Sequence, residues 1–250
     1  MKKYNPTRSI RSAVLFSIVF LLITASLACS FATQIIAPPT ATSLPSPVPS
    51  AIPPAKILYS DDFSDSFSGW LKGTPSDNLD STFEYVDGEY ILTRKKGTDS
   101  VNWSLANQNF SDSVISVDIR HISGDTNVTG PVIFWHISSD YQSFYWLLVY
   151  GNGQYSIQKV INGVSTIIQP WGPNSAILRG LKVNHIDIKS VGAQHTIYIN
   201  GIIVADFTDS GSLHGDIALG VTATVLSNIE AGFDNLIVHN VENWAPVTNP

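Results

Sequence analysis

The sequence predicts an all-β domain: a two-sheet antiparallel sandwich running from Lys56 to Asn240. Three observations predict it. Short runs rich in Ile, Val, Tyr, Phe and Trp recur at intervals of about 8–15 residues, with Gly, Asn and Asp between them. Helical periodicity is nearly absent over the same span. Asp87-Gly88, Asn162-Gly163 and Asn200-Gly201 each sit between two strand-like runs, and such pairs are the strongest short-range hairpin signal.

Each element follows from local pattern. Phe83 to Thr93 reads as a hairpin turning at Asp87-Gly88. In Val114 to Ile122, Ile115, Val117 and Ile119 share one face, while Ser116, Asp118 and Arg120 share the other. Side chains alternate across a strand, so this run is half buried. Ser143 to Tyr150 differs: Phe144, Trp146, Leu148 and Tyr150 fill one face, and Tyr145, Leu147 and Val149 the other. A strand apolar on both sides belongs mid-sheet, with both faces covered or one lining a groove. Tyr155–Ile161 and Ser165–Gln169 form a hairpin around Asn162-Gly163, and Gln194–Phe207 forms another around Asn200-Gly201. In Asp216 to Thr224, the residues Ile217, Leu219, Val221 and Ala223 point one way.

The first 55 residues have another character. Lys2, Lys3, Arg8 and Arg11 precede an uncharged run, Ala13 to Ala32, which holds the only cysteine, Cys29. Basic flank and apolar run together make an export signal over residues 1–28. Three outcomes are open: cleavage before Cys29 with lipid on its sulfur, ordinary secretory cleavage, or an uncleaved anchor. The first is expected, although Leu27 stands two residues before Cys29 where the usual leucine lies three before. Residues 29–55 form a linker, in which half of the chain's 14 prolines fall between Pro38 and Pro54. Such a stretch is a semi-rigid extended spacer. Residues 56–240 form the domain and 241–250 a tail. The expected location is extracytoplasmic, tethered at the membrane or cell surface, with secretion as the alternative.

Charge and cysteine exclude several classes. Without the leader, ten Lys and Arg face 20 Asp and Glu, a net charge of −10. A surface that acidic repels phosphate backbones, so nucleic acid is not the expected partner. One thiol allows no intrachain disulfide, so the fold must rest on its core.

The ordered motifs Tyr59-Ser60-Asp61-Asp62-Phe63, Ser68-Gly69-Trp70, Asp87-Gly88-Glu89-Tyr90, Ser143-Phe144-Tyr145-Trp146, Gly153-Gln154-Tyr155, Tyr198-Ile199-Asn200-Gly201 and Phe233-Asp234-Asn235 carry a resemblance. The span 57 to 239 resembles the concanavalin A-like jelly rolls with laminin-G-like topology. Within these it is most similar to the bacterial exported domains grouped with 3-keto-disaccharide hydrolases. The resemblance implies a jelly roll whose concave sheet tends to bind sugars. It implies no single activity, because this fold also hosts glycanases and adhesion modules.

Three readings of function follow: a carbohydrate-binding jelly roll, a glycoside hydrolase or lyase of the keto-disaccharide type, and a protein-adhesion module. The catalytic reading lacks a motif. Jelly-roll glucanases carry Glu-x-Asp-x-x-Glu, and the nearest string here, Glu84 to Glu89, has the wrong spacing and a turn at its centre. No Gly-x-Ser-x-Gly elbow and no HExxH occur. For sugar binding, Trp103, Trp135, Tyr145 and Trp146 are the candidate aromatic wall, and Asp118, Arg120, His121 and His136 the candidate polar partners. Binding grooves pair apolar walls with a few placed polar groups. Alternation separates Tyr145 from Trp146, so at most one of them faces a groove. Asp118 and Arg120 share a face and are expected to pair. Asp61, Asp62, Asp65 and Asp234 are the candidate ligands of a structural calcium ion if the terminal strands pair; turn shaping is the competing reading.

Overall fold

The computed structural model describes residues 53–76, 78–97 and 100–247. The export signal, Cys29 and the linker up to residue 52 lie outside the described residues. Fourteen strands and no helix appear among those described.

An eight-stranded antiparallel sheet is built from β1 (Ile57–Asp61), β2 (Ser81–Val86), β3 (Glu89–Arg94), β5 (Ser113–Gly124), β10 (Asn184–Val191), β11 (Gln194–Ile199), β12 (Ile202–Thr208) and β14 (Ile229–His239). Its order is β12-β11-β10-β5-β14-β3-β2, with β1 also paired to β14. The second sheet has six strands: β4 (Ser100–Leu105), β6 (Gly130–Ile137), β7 (Phe144–Val149), β8 (Gln154–Ile161), β9 (Val164–Pro173) and β13 (Asp216–Ala223). Its order is β4-β13-β6-β7-β8-β9. The first and last strands pair, the condition on which the calcium expectation depended. Asp62 and Asp65, expected on the first strand, instead follow its end.

The three hairpins turn where their dipeptides predict. Asp87 and Gly88 have φ of 53° and 83°, Asn162 and Gly163 51° and 76°, and Asn200 and Gly201 52° and 78°. Two successive positive φ values match the type I′ turn, whose twist suits paired strands.

The two inner faces bury one apolar cluster. Ile115, Val117 and Ile119 of β5, with Ile186 and Ile188 of β10, join Ile133 and Trp135 of β6, Tyr145 and Leu147 of β7, and Leu219 and Val221 of β13. The six-stranded sheet buries a second cluster on its other side. Val132, Phe134, Leu148 and Ala218 lie there under Trp103, Phe144 and Trp146. This explains why β7 is apolar on both faces. Trp244, expected in a tail, lies edge-on to Tyr198 at 5.5 Å, with the Lys189 amine 5.9 Å over its ring.

A bulge in β6 matters for the site. Phe134 pairs with Ala218 and Ile137 with Asp216, so Trp135 and His136 together oppose Ile217. His136 takes φ 53°, in the left-handed region that histidine seldom occupies. Both bulged residues are buried, and Ile137 returns to the outer cluster. Bulges re-aim side chains in this way.

Candidate groove at the end of the six-stranded sheet

Three connections gather where β4 and β6 end and β13 begins: residues 106–112, 138–143 and 209–215. Together they line a groove of about 690 Å³. Its wall includes Asn107, Gln108, Tyr141, Ser138, His214 and Asp216. A shallower recess of about 380 Å³ continues from it past Leu105, Asn107 and Tyr141 to Trp103, Leu71 and Gly69. Tyr141 is 51% exposed and stands edge-on to Trp103, with ring centres 6.0 Å apart. Phe134 and Phe144 back Trp103 at 4.7 and 5.6 Å. The Trp146 Nε1 is shielded from solvent without a hydrogen-bond partner among the described residues. Apolar rings thus adjoin a row of amides and one carboxylate, the composition of a small-molecule groove.

The backbone of the groove is tightly placed. Asn107 and Tyr141 both have positive φ, 58° and 59°. For tyrosine this is strained, and strain of this kind persists where the surroundings over-determine it. Asp216 Oδ1 accepts from the Gln108 and Ile217 amides at 3.1 and 2.8 Å. Burial nevertheless holds its carboxyl above the usual range, against those opposing bonds. Gly215 (φ 154°) exchanges backbone hydrogen bonds with Phe110, and a Cβ there would meet the Ile137 carbonyl oxygen at 2.3 Å.

The loop 209–215 is fastened from beneath by the core. Tyr145 Oη donates to Asp209 Oδ1 at 2.6 Å and accepts from the Ser212 amide at 3.2 Å. His136 Nδ1 donates to the Ser212 carbonyl at 2.9 Å, and Ser212 Oγ donates to the His136 carbonyl at 2.9 Å. His195 Nε2 donates to the Asp209 carbonyl at 3.2 Å, while its Nδ1 accepts from Ser190 Oγ at 3.0 Å. Lys159 closes an ion pair on Asp209. Burial raises the Asp209 carboxyl, but Lys159 and Tyr145 outweigh it and hold the group below its usual range. Burial pushes His136 down to about 4 and lowers His195, so both rings are neutral near pH 7.

The eight residues anticipated for sugar binding therefore part company. Trp103 and Trp146 share the outer face of the six-stranded sheet, and Trp103 reaches the groove. Trp135 and Tyr145 are no wall: both are fully buried, stacked at 5.4 Å in the core. Alternation separates Tyr145 from Trp146, and it is Tyr145 that turns inward; the bulge explains the burial of Trp135. His136 is 2% exposed and supports the groove from behind. His121 is buried at the end of the inward row of β5.

Asp118 and Arg120 lie on the outer face of the other sheet, away from the tryptophans, and do not pair with each other. Arg120 binds Glu89 through two nitrogens, with Nε to Oε1 at 2.7 Å. The pair crosses over Gly232 of the intervening β14, whose missing side chain leaves room. Asp118 accepts from His185 Nδ1 at 2.6 Å and from Asn235 Nδ2 at 2.9 Å. His185 Nε2 donates to Asp187 at 3.2 Å, so the imidazole lies between two carboxylates that hold its pKa well above the usual value.

The calcium expectation is not carried by these residues. Asp61, Asp62 and Asp65 accept from the backbone amides of Phe63, Ser64 and Phe67 at 2.8, 3.1 and 2.9 Å. Asp234 accepts from the amide of Asn235 at 2.6 Å. The first three are turn-shaping bonds, whereas Asp234 lies within β14 at an irregularity in its pairing with β5. Among the described residues no three His, Cys, Asp or Glu side chains cluster closely enough to hold a metal ion.

Tyr141, Asn107, Gln108, His214 and Asp216 are groove residues that sequence reasoning missed. One signal was available: the three consecutive amide side chains of Asn107-Gln108-Asn109 between two strands.

Sheet order, inner core and end groove define the class: an all-β concanavalin A-like sandwich of the galectin-like, jelly-roll type. Among solved structures, the chain is similar to a carbohydrate-binding module, CBM66, from Bacillus subtilis. The two are 20% identical with a TM-score of 0.55, covering 69% of this chain and 96% of the module. It is also similar to a Bacillus subtilis protein described as having a galectin-like fold, at 12% identity and TM-score 0.56, covering 75% and 97%. A Bacillus licheniformis β-glucanase matches at 13% identity and TM-score 0.52, covering 73% and 97%. No family model and no curated protein sequence matches the chain.

Proposed function

We propose that the domain binds carbohydrate in the groove at the end of the six-stranded sheet, without catalysis. One observation carries the reading: exposed Tyr141 and the flank of Trp103 stand beside Asn107, Gln108 and Asp216 in an open groove. Sugar rings present C–H faces to aromatic planes and hydroxyls to amides and carboxylates. Similarity in fold to a carbohydrate-binding module and to glucanases supports the reading.

Binding is favoured over hydrolysis by the carboxylates. A glycosidase of the usual kind needs two flanking the scissile bond. Asp216 is the one carboxylate among the described lining residues. An adhesion module is disfavoured because the site is a polar groove, whereas protein docking favours a broad apolar patch. In this proposal the export signal and a lipid on Cys29 display the domain outside the cytoplasm. Mass spectrometry of the mature N-terminus checks that part, and an unmodified chain starting near Thr33 refutes the lipid.

A glycan array followed by calorimetry tests the groove. Tyr141→Ala and Trp103→Ala are each expected to weaken the strongest hit about tenfold or more, ~1.4 kcal/mol, with the melting temperature of Tyr141→Ala nearly unchanged. Absence of binding to any glycan at millimolar concentration overturns the proposal.

A further inference from the structure

The loop 209–215 has a second side. Beyond it lies another open recess, of about 570 Å³, lined by Lys159, Ile161, Val164, Thr166, Thr208 and Asp209. Ser210 and Gly211 line both this recess and the end groove. The two hollows therefore adjoin at a crest that includes these two small residues. Gly211 packs closely against its neighbours at the crest. A Cβ on it would meet Ile161 Cδ1 at 2.6 Å and Asp209 Oδ1 at 3.0 Å. The crest is also fixed in place, because Tyr145, His136 and Lys159 hold the loop from below.

We propose that the end groove and the Lys159 recess form one continuous track for an internal stretch of a neutral polysaccharide chain. The proposal rests on the carbohydrate reading of the groove. Three features support it. The track passes over the crest and is open to solvent in both hollows, so a chain can run on past either side. Its second half also sets polar groups beside an apolar surface, with the Thr166 and Thr208 hydroxyls near the exposed aliphatic side chain of Val164 in place of amides and aromatic rings. Its charge is nearly balanced: Lys159 is matched by Asp209, and the domain as a whole is acidic. An acidic domain disfavours polyuronates and sulfated chains by like-charge repulsion.

The test uses oligosaccharide ladders of β-glucan, α-glucan and fructan, each from disaccharide to hexasaccharide, titrated calorimetrically, with oligogalacturonates as the charged comparison. For one neutral ladder, affinity is expected to rise about tenfold between disaccharide and tetrasaccharide or longer, as added units reach over the crest. Thr166→Leu fills the second recess, and Thr208→Val removes a hydroxyl from it; both residues are exposed and neither lines the end groove. Each variant should abolish the gain with length while leaving disaccharide affinity unchanged. Disaccharide binding with no gain in affinity along the ladder, or a gain that survives both variants, overturns the track and leaves the groove standing. Tighter binding of the galacturonates overturns the neutral-chain assignment. Failure of every neutral ladder member to bind overturns the track, and a hit on the glycan array would then leave the groove standing without it.

Discussion

His136 and His195 are the residues whose chemistry most constrains the site. Each ring donates one N–H to a carbonyl of the 209–215 loop, and neither has room for hydration of a charge. Burial lowers both pKa values, that of His136 to about 4. The unfolded chain therefore binds protons more readily than the fold. Stability from these rings is full above pH 6.5 and declines below it, for His136 until the pH reaches about 4. For His136 the loss is up to about 3 kcal/mol. Urea midpoints measured from pH 7 to pH 4 should fall accordingly, and His136→Gln should flatten the acid limb. His185 has the opposite sign. Its pKa is raised by Asp118 and Asp187, so its contribution is complete below pH 6.5 and declines at alkaline pH. His185→Asn should remove the alkaline decline alone. Tyr145→Phe keeps the core ring and deletes the bonds to Asp209 and Ser212. It should cost about 1–2 kcal/mol and weaken glycan binding, read by denaturation and calorimetry together. Sequence reasoning picked out Tyr145 as a wall aromatic and His136 as a polar partner of the sugar, whereas both are buried behind the loop that lines the groove. A strand's alternation tells which side chains share a face; it does not report a bulge that puts two neighbours inward.

At the level of elements, the hairpins were the most legible part of the chain. Asp87-Gly88, Asn162-Gly163 and Asn200-Gly201 encode positive φ locally, so no distant contact is needed to predict them. Gly163→Val should therefore destabilise by about 1–2 kcal/mol, measured by thermal unfolding, because a β-branched residue is strained at φ 76°. Gly215 tests the element that builds the groove. Its φ of 154° and the Ile137 oxygen 2.3 Å from a Cβ leave no space for alanine. Gly215→Ala should destabilise by about 1–3 kcal/mol and loosen the pairing with Phe110. Faster amide exchange at Phe110 and Gly215 is the expected readout. The connections themselves were not legible, because loops have no period. The amide run Asn107-Gln108-Asn109 marked one of them, but nothing in the sequence of 138–143 announced that Tyr141 would stand exposed beside Trp103.

Across the molecule, stability rests on the packing between the sheets and on the aromatic cluster outside the six-stranded sheet. The sole thiol, Cys29, lies outside the domain, so a reducing agent should leave the domain's melting temperature unchanged. A reductant-sensitive transition would show that a disulfide from Cys29 to a second molecule matters. Long-range pairings such as β5 with β14 and β1 with β14 dominate the topology, so folding should be slow for a domain of this size, in milliseconds to seconds. The sequence alone determined the all-β class, the hairpins, the acidic and disulfide-free character and the apolar rows of β5 and β13, because these depend on composition and on a two-residue period. Tertiary structure decided what no period encodes. It gave Arg120 to Glu89 and Asp118 to His185, set those charges on the sheet opposite Trp103, and turned Asp61, Asp62 and Asp65 to shaping turns. It also brought three distant loops to one end of the six-stranded sheet. The physical reason is that strand alternation is a local property, whereas sheet order and the register of distant strands decide which faces and loop ends meet.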